Sequence, residues 1–284
     1  MIREPARAKV NLTLRILGRR PDGYHEIDSL IAFAENAYDT VTLDPGSPVG
    51  VTVNGPFSDS IVGDNIAAMT LRRLAEIEPR LRLGAIHIEK RLPIAAGIGG
   101  GSANAGALLR AVAVANPDHS GSVDWLAIAA SLGADVPVCF SHVACRVTGL
   151  GEILEPLPQL PSLAAVLVNS LDVVPADKTA QVFRLLEAAP LPASIPRTPP
   201  TVPANNRALV EMMSQVGNDL EPAARKAFPV IARVLDALRD TEGCRFAAMS
   251  GAGPTCFGVF EDCDDAAASL ASRHPGWWIK PTRL

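Results

Sequence analysis

The sequence has no excess of basic residues and few aromatic ones, and both features bear on binding to nucleic acids. Its 26 Lys and Arg residues stand against 30 Asp and Glu residues, which gives a formal net charge of −4 at pH 7. Only eight Phe, three Trp and two Tyr residues occur among 284. Nucleic-acid sites need clustered Lys and Arg, and single-strand sites need repeated aromatic platforms. The sequence therefore predicts no nucleic-acid partner.

The chain also lacks the cysteine spacing of a disulfide framework or a zinc site. Its cysteines are odd in number, show no CxxC spacing and have no paired histidines nearby. We therefore expect neutral, buried thiols in a reducing compartment. The five are Cys139, Cys145, Cys244, Cys256 and Cys263.

Long apolar runs are absent too. No stretch reaches the roughly 18 apolar residues that span a membrane. The first residues include Arg3, Glu4, Arg7 and Lys9 and precede no apolar run, which is untypical of a secretory signal. We therefore expect no membrane partner and a cytoplasmic location.

What the sequence does contain is enough apolar material for a sizeable core. Apolar residues make up 48% of the 284, and at about 150 residues per domain this length suggests two domains. Beyond Gly151 the composition shifts, because Pro156, Pro158 and Pro161 crowd together. We therefore predict one domain over residues 1–150 and another over 151–284. A second proline-rich stretch, 190–203, predicts a surface excursion.

Hydrophobic periodicity and turn residues predict a mixture of strands and helices. Apolar residues alternate from Val10 to Ile16, which is typical of a half-buried strand and would place Lys9 and Asn11 on one face. Asp64 is a candidate N-cap for the first helix. The other predicted strands cover residues 25–33, 40–43, 84–92, 163–169 and a strand-turn-strand at 249–260. The predicted helices cover 64–78, 102–116, 125–132, 205–215 and 222–240.

The strongest chemical signal is a glycine-rich run, residues 93–104, between a predicted strand and a predicted helix. Four of its residues are glycines, which let backbone N–H groups approach a ligand, and the helix adds the positive end of its dipole. A polyphosphate is the expected occupant. The run matches neither a Walker A loop nor GxGxxG, and a tight strand-to-helix turn is the structural alternative.

Several motifs together resemble the GHMP kinase superfamily over nearly the whole chain. The first comprises residues 8–12 and 20–25, the second 93–105, and the third 250–255, a glycine loop that is a weak signal by itself. Shorter matches lie at 133–137, 149–152 and 217–221. The resemblance implies an α+β, two-domain GHMP kinase fold, with an N-terminal, ATP-binding domain that is ribosomal protein S5 domain 2-like and a C-terminal ferredoxin-like GHMP domain. It also implies an active site in the cleft.

The resemblance implies an ATP-dependent small-molecule kinase. Mg²⁺ is expected with ATP because polyphosphate charge must be screened. The run Asp22-Gly23-Tyr24-His25 is similar to the cytidine-binding element of one branch of the superfamily. The expected substrate is therefore a cytidyl small molecule, while metal ligands and oligomeric state stay unassigned.

Carried onto this chain, the motifs imply that Lys9 and Asp135 are the catalytic residues. Asp135 would accept or orient the proton of the attacking hydroxyl, and Lys9 would keep that carboxylate ionised and offset charge on the γ-phosphoryl group. Asn11 would hydrogen-bond the same hydroxyl. On the bare sequence, Asp135 is a turn-former or N-cap and Lys9 is a solvated strand residue.

The resemblance implies further substrate-binding residues. Tyr24 and Phe183 would stack on the two faces of cytosine, and His25 would hydrogen-bond the base. Gly251 and Gly253 of the third motif complete this group. The structural alternative for Tyr24 and His25 is an ordinary turn.

The residues expected to bind ATP are the glycine-rich run and two side chains beside it. Ser102 is also the candidate N-cap of the following helix. As alternatives, Lys90 would be a strand-edge residue and Asn65 a helix start. The full group is Pro93, Ile94, Ala95, Ala96, Gly97, Ile98, Gly99, Gly100, Gly101, Ser102, Ala103, Asn104, Lys90 and Asn65.

The sequence is also compatible with three other functions. A GHMP kinase acting on a different alcohol would not need Tyr24 and His25 as a cytidine reader. A non-catalytic nucleotide-binding or regulatory member of the fold would not need both Lys9 and Asp135. RNA binding through a domain like that of the ribosomal protein is disfavoured by the acidic charge balance.

Overall fold

The computed structural model describes residues 1–58, 65–119, 121–175, 177–194 and 202–284. They form two units, each assembled from separate segments. The first comprises Met1–Lys9, Ala37–Ile94 and Gly99–His142, and the second comprises Val10–Asn36, Ala95–Ile98 and Val143–Leu284. Two long strands, β1 (Ile2–Arg19) and β2 (His25–Asp44), contribute residues to both units. The domain division at residue 150 stays a prediction.

The first unit combines strands with helices that pack around a central one. Residues 40–44 of β2 pair antiparallel with β4 (Ala85–Glu89), which pairs parallel with β3 (Gly50–Asn54). The central helix, α2 (Gly100–Ala115), packs against α4 (Val136–Ser141) and α1 (Ile66–Ile77). Its small residues permit close approach, since a Cβ on Gly106 would lie 2.6 Å from the carbonyl carbon of Cys139 on α4. The helices described here are α1 (Ile66–Ile77), α2 (Gly100–Ala115), α3 (Trp125–Leu132) and α4 (Val136–Ser141), with a 3-10 turn at Pro117–His119.

The second unit contains an antiparallel sheet in the order β10-β7-β9-β8. Helices lie between β7 and β8 and between β9 and β10, which is the ferredoxin-like arrangement that the family resemblance implies. The strands are β7 (Ala164–Asn169), β8 (Phe246–Met249), β9 (Cys256–Val259) and β10 (Trp278–Arg283). The helices are α5 (Lys178–Leu186), α6 (Asn206–Val216), α7 (Glu221–Ala227), α8 (Val230–Arg239) and α9 (Cys263–Arg273).

The same unit holds a second set of paired strands. Residues 27–31 of β2 pair antiparallel with β5 (Cys145–Gly149), and β5 pairs with β6 (Ile153–Pro156). The core beneath the ferredoxin-like sheet is built from fully buried apolar side chains, among them Val166, Val168, Ile231, Leu235 and Leu270.

The first strand differs from its prediction in two ways. It runs over Ile2–Arg19, and in its middle the polar residues Lys9, Asn11 and Thr13 are as buried as the apolar residues between them, so this part is not half-buried. Hydrogen bonds make this possible, because a buried polar group costs little only when it is paired. For example, the hydroxyl oxygen of Thr13 accepts a hydrogen bond from the backbone N–H of Leu30. The two predicted strands at 25–33 and 40–43 are likewise one continuous strand, β2.

Several predicted helix ends are wrong. Asp64 lies outside the described residues, and α1 is capped by Asn65, whose Oδ1 accepts the N–H of Ala67 at 2.9 Å. Ser102 is not an N-cap, because α2 begins at Gly100 with Gly99 in that position. The predicted helix at 222–240 is interrupted before Val230, since Pro229 has no N–H to continue the first helix.

One further prediction is confirmed, and several elements were missed. The strand-turn-strand predicted at 249–260 is confirmed, because the third-motif loop joins the strands β8 and β9. The elements that were not predicted are strands β3, β5, β6 and β10 and helices α4, α5 and α9. Residues 195–201 of the predicted proline-rich excursion lie outside the described residues.

Candidate active site

Lys9 and Asp135 form an ion pair in the first unit. Nζ of Lys9 donates to Oδ2 of Asp135 at 2.9 Å; the lysine side chain is 6% exposed and the aspartate side chain 44%. Asp135 occupies the N-cap position of α4, yet its side chain makes no capping hydrogen bond. The carboxylate is therefore directed to Lys9 and to solvent, where it can receive a proton from a bound hydroxyl group.

The N-terminus of α2 lies next to this pair. A Cβ built on the N-cap Gly99 would be 3.3 Å from Cβ and 3.4 Å from Cε of Lys9, and one on Gly100 would be 3.2 Å from Nζ of Lys90. No described side chain caps this helix end, so the N–H groups of its first turn and the positive end of the dipole face outward with two ammonium-bearing side chains beside them. Such an arrangement binds anions, above all phosphates.

The side chains of the glycine-rich run divide into inward and outward groups. Ser102 is half-buried in the first turn of α2, whereas Ala103 and Asn104 are buried. The amide Nδ2 of Asn104 donates to Oδ2 of Asp39 at 3.1 Å. A phosphate would therefore meet the backbone of this run and the hydroxyl of Ser102, while Asn104 supports it from beneath.

Sequence reasoning missed Asp39, which lies on β2 and is the carboxylate that Asn104 contacts. Its side chain is fully buried and is paired with the ammonium group of Lys90. Lys90 is thus not a strand-edge residue exposed to solvent. The only signal in the sequence was a lone carboxylate directly before the strand predicted at 40–43.

Residues 95–98 of the glycine-rich run contact the third-motif loop within the second unit. The hydroxyl of Ser250 donates to the carbonyl oxygen of Gly97 at 3.1 Å, and the N–H of Thr255 donates to that of Ala96 at 3.1 Å. Asn218, which sequence reasoning did not assign a role, fixes the same loop by donating to the carbonyl oxygens of Met249 and Gly251 at 2.8 and 2.9 Å. The two glycine loops therefore form one hydrogen-bonded assembly.

Asn11 is buried against this assembly. Its N–H donates to Oγ of Ser250 at 3.1 Å and its Nδ2 donates to Oγ of Ser29 at 2.7 Å. Its Oδ1 has no hydrogen-bond partner among the described residues and would lie 3.3 Å from a Cβ on Gly251. The unused group of Asn11 is thus an acceptor. Gly253 closes the loop, with its N–H donating to the carbonyl oxygen of Ser250.

The predicted cytidine readers lie in the second unit. Tyr24 follows the turn between β1 and β2, with its N–H on Oδ1 of Asp22 at 3.0 Å and its side chain 65% exposed. The ring of His25 stacks on Phe183 of α5, with centroids 4.8 Å apart. Burial, and then the nearby Arg19 guanidinium, lower the pKa of His25, which favours a neutral imidazole with one donor and one acceptor nitrogen.

Cys139, Cys145 and Cys256 are buried as expected, whereas Cys244 and Cys263 are only partly buried. Two of the buried thiols give a testable prediction. Burial raises the pKa of Cys139 to about 12 and that of Cys145 to about 11. At pH 8 the reactive thiolate is then about one part in a thousand or less. Treatment of the folded protein with iodoacetamide at pH 8 should leave both unmodified by peptide mass spectrometry, and unfolding in guanidinium should expose both. Rapid alkylation of either in the folded state would contradict the assignment.

Two features are absent from the part of the chain that the structure describes. No helix there is both long and apolar enough to cross a membrane. No group of three or more His, Cys, Asp or Glu side chains there is placed to hold a metal ion.

Comparison with known proteins identifies relatives over the whole chain. Residues 64–142 match the family described as GHMP kinases N terminal domain, and residues 202–273 match GHMP kinases C terminal. A protein of a Bradyrhizobium species named 4-diphosphocytidyl-2-C-methyl-D-erythritol kinase is 44% identical over 98% of this chain and 95% of its own length. A protein of the same name from Methylobacterium radiotolerans is 44% identical over 100% and 99% of the two chains.

Solved structures show the same relationship. A crystal structure of 4-(cytidine 5'-diphospho)-2C-methyl-D-erythritol kinase superposes with a TM-score of 0.75 at 30% identity and covers 99% of each chain. A homoserine kinase from Cytophaga hutchinsonii superposes with a TM-score of 0.69 at 17% identity over 99% of this chain and 94% of its own, which shows a shared fold.

Proposed function

Because the chain belongs to the GHMP kinase family, and within it to the 4-diphosphocytidyl-2-C-methyl-D-erythritol kinases, we propose that it transfers the γ-phosphoryl group of ATP to the 2-hydroxyl of 4-diphosphocytidyl-2-C-methyl-D-erythritol. The products are ADP and the 2-phosphate of this cytidyl substrate. The reaction would lie in the non-mevalonate route to isoprenoid precursors.

The observation that carries the proposal is the grouping of charges at the start of α2. An uncapped helix N-terminus lies between Lys9 and Lys90, and Asp135 lies 2.9 Å from Lys9. Phosphoryl transfer needs this combination, because positive charge must offset the phosphates while a carboxylate takes the proton of the acceptor. A turn without a chemical role would need neither lysine.

Asp135 and Lys9 act on the hydroxyl group. As the 2-hydroxyl oxygen bonds to the γ-phosphorus, the Asp135 carboxylate accepts its proton. The bond between the γ-phosphorus and the bridging oxygen breaks, and ADP leaves with that electron pair. The Lys9 ammonium offsets negative charge on the phosphoryl group during transfer.

The remaining ATP contacts come from the glycine-rich run. The backbone of residues 93–104 cradles the phosphates, the Ser102 hydroxyl lies in the first turn of the helix, and Lys90 and Asn65 border the nucleotide. Mg²⁺ that accompanies ATP usually takes few protein ligands, so it would be held here chiefly by the phosphate oxygens. Bound in this way, it would neutralise polyphosphate charge.

The second unit supplies the contacts to the cytidyl substrate. Tyr24 and Phe183 present aromatic faces to the base, and neutral His25 offers a donor and an acceptor. The unpartnered Oδ1 of Asn11 accepts a hydrogen bond from a substrate hydroxyl. The backbone of Gly251 and Gly253 completes the contact.

The test is release of ADP from ATP and Mg²⁺ in the presence of the cytidyl substrate, run beside mevalonate, homoserine and galactose. Turnover with the cytidyl substrate alone is the expected result. Turnover with another alcohol would overturn the cytidine assignment and retain the kinase. Failure with every alcohol would favour the non-catalytic alternative.

Replacement of Phe183 by leucine tests the cytidine assignment. The change keeps apolar bulk but removes the stacking ring, and base–aromatic stacking contributes about 1–3 kcal/mol. The KM for the cytidyl substrate should rise roughly 5- to 150-fold while the KM for ATP stays unchanged. Phe183→Tyr, which retains a ring, is the matched control. An equal rise in both KM values would instead point to a general loss of structure.

A further inference from the structure

One buried carboxylate reaches both ends of the glycine-rich run. Oδ1 of Asp39 accepts the backbone N–H groups of Arg91 and Leu92, both at 2.7 Å. Its Oδ2 accepts from the ammonium of Lys90 and from Nδ2 of Asn104. Lys90 and its two neighbours precede the run, and Asn104 lies at its far end on α2. Asp39 therefore fixes the distance between the two points from which the run extends.

The side chain of Asp39 does not reach solvent. It is 0% exposed and Lys90 is 5% exposed, so the pair is almost wholly removed from water. The carboxylate accepts these four hydrogen bonds from described residues, and two of the donors are backbone N–H groups. Asp39 thus contacts the surroundings of the phosphate site without being able to contact a nucleotide.

The negative charge of Asp39 stabilises the ammonium group of Lys90 beside the N-terminus of α2. Nζ of Lys90 is 3.2 Å from the position of a Cβ on Gly100, the first residue of α2. A cation at the N-terminus of a helix is disfavoured by the helix dipole, and a buried cation without a partner is costly. Asp39 offsets both effects and keeps the ammonium at the helix end.

We propose that Asp39 is a positioning residue for nucleotide binding, which holds Lys90 and the start of the glycine-rich run in the arrangement that the ATP phosphates require. The inference rests on the proposed assignment of this run to ATP. Asp39 acts through Lys90 and takes no part in the chemical step itself.

The variant Asp39→Asn distinguishes the roles of the two carboxylate oxygens. Its amide oxygen can still accept the N–H groups of Arg91 and Leu92, but its amide nitrogen now faces Lys90 and Asn104 as a donor. We expect ATP affinity, measured by titration calorimetry, to fall about tenfold or more, with the KM for the cytidyl substrate changed by less than about twofold. Glu4→Gln, which removes a carboxylate paired with Arg110 at 2.9 Å in the same unit, is the matched control and should change neither value.

A second comparison distinguishes positioning from general support of the fold. In a Lys90→Met background, adding Asp39→Asn should change ATP affinity by less than about twofold, because the group through which Asp39 acts is gone. This double variant leaves no lone buried charge, so it remains informative even where Asp39→Asn alone fails to fold. A further tenfold loss in the double variant, or unchanged affinity in a folded Asp39→Asn protein, would overturn the proposal.

The assay also separates this inference from the proposed function. Calorimetry measures ATP binding whether or not the cytidyl substrate is phosphorylated. A wild-type protein that binds ATP but does not turn over the substrate would refute the proposed reaction, and the role of Asp39 would still be decided by the binding data. A wild-type protein that binds no ATP would refute both.

Discussion

Replacement of Asp135 by asparagine is expected to lower kcat for phosphoryl transfer by roughly 10²-fold or more, the usual contribution of a general base. The amide keeps the size of the side chain and can still accept a hydrogen bond from Lys9, but it cannot take up the proton of the hydroxyl group. The KM for ATP should change little, since the backbone cradle at the start of α2 is untouched. Steady-state release of ADP measures both parameters.

The fold should survive this change, because the Asp135 side chain is 44% exposed and caps no helix. Its matched control is Asp124→Asn, at the N-cap of the preceding helix α3, where Oδ1 accepts the N–H of Ala127 at 2.9 Å. Asparagine caps a helix as well as aspartate does, so this control should be fully active. An Asp135→Asn enzyme that retained more than about one-third of wild-type kcat would exclude a base at this position.

Lys9→Met extends the same argument to the partner of Asp135. If the two side chains act as a unit, each single change should cost nearly as much kcat as the double change. Fully additive losses would mean that Lys9 serves the phosphates independently of Asp135.

The spacing of apolar residues along the sequence was sufficient to predict elements that have one apolar face. Helix α6 was predicted at 205–215 and is found at Asn206–Val216, because its apolar residues recur at helical spacing. Strand β10 carries Lys280 and Pro281 and was missed, since its formation depends on pairing with β7. Pairing of this kind is a tertiary effect that no local pattern records.

The candidate site likewise contains residues that local sequence patterns predict and residues that only the fold brings together. The glycine-rich run was found from local chemistry, and the approach of Lys9 to Asp135 was expected from motifs typical of a family. Asp39 could not be found in this way, because its partners at Arg91 and Leu92 are 52 and 53 residues away. An isolated aspartate in a strand is ordinarily a solvent-facing residue, and only the fold shows that this one is buried.

Replacement of Gly97 by alanine should damage both glycine loops at once. Gly97 has φ +76°, and an added Cβ would lie 2.5 Å from the carbonyl oxygen of Gly253 and 2.9 Å from that of Ser250. The left-handed conformation alone costs a residue with a Cβ about 1–2 kcal/mol, and the backbone clash forces the loops apart. A displacement of about 1 Å in a positioning element can cost 10²-fold in rate, so kcat/KM for ATP should fall by roughly that factor.

Two other glycines separate the causes of this loss. Gly243 has φ +77°, but no atom of the described residues lies within 4 Å of an added Cβ, so Gly243→Ala carries the conformational cost without a clash. Gly276 is not in a left-handed conformation and an added Cβ there would have no described neighbour within 4 Å, so Gly276→Ala should change neither Tm nor activity. We expect Gly243→Ala to lower Tm while kcat/KM stays at the wild-type value. If Gly97→Ala also lowered Tm without lowering kcat/KM, the contact between the two glycine loops would contribute to stability alone. A loss of kcat/KM confined to Gly97→Ala would show that the contact shapes the phosphate site.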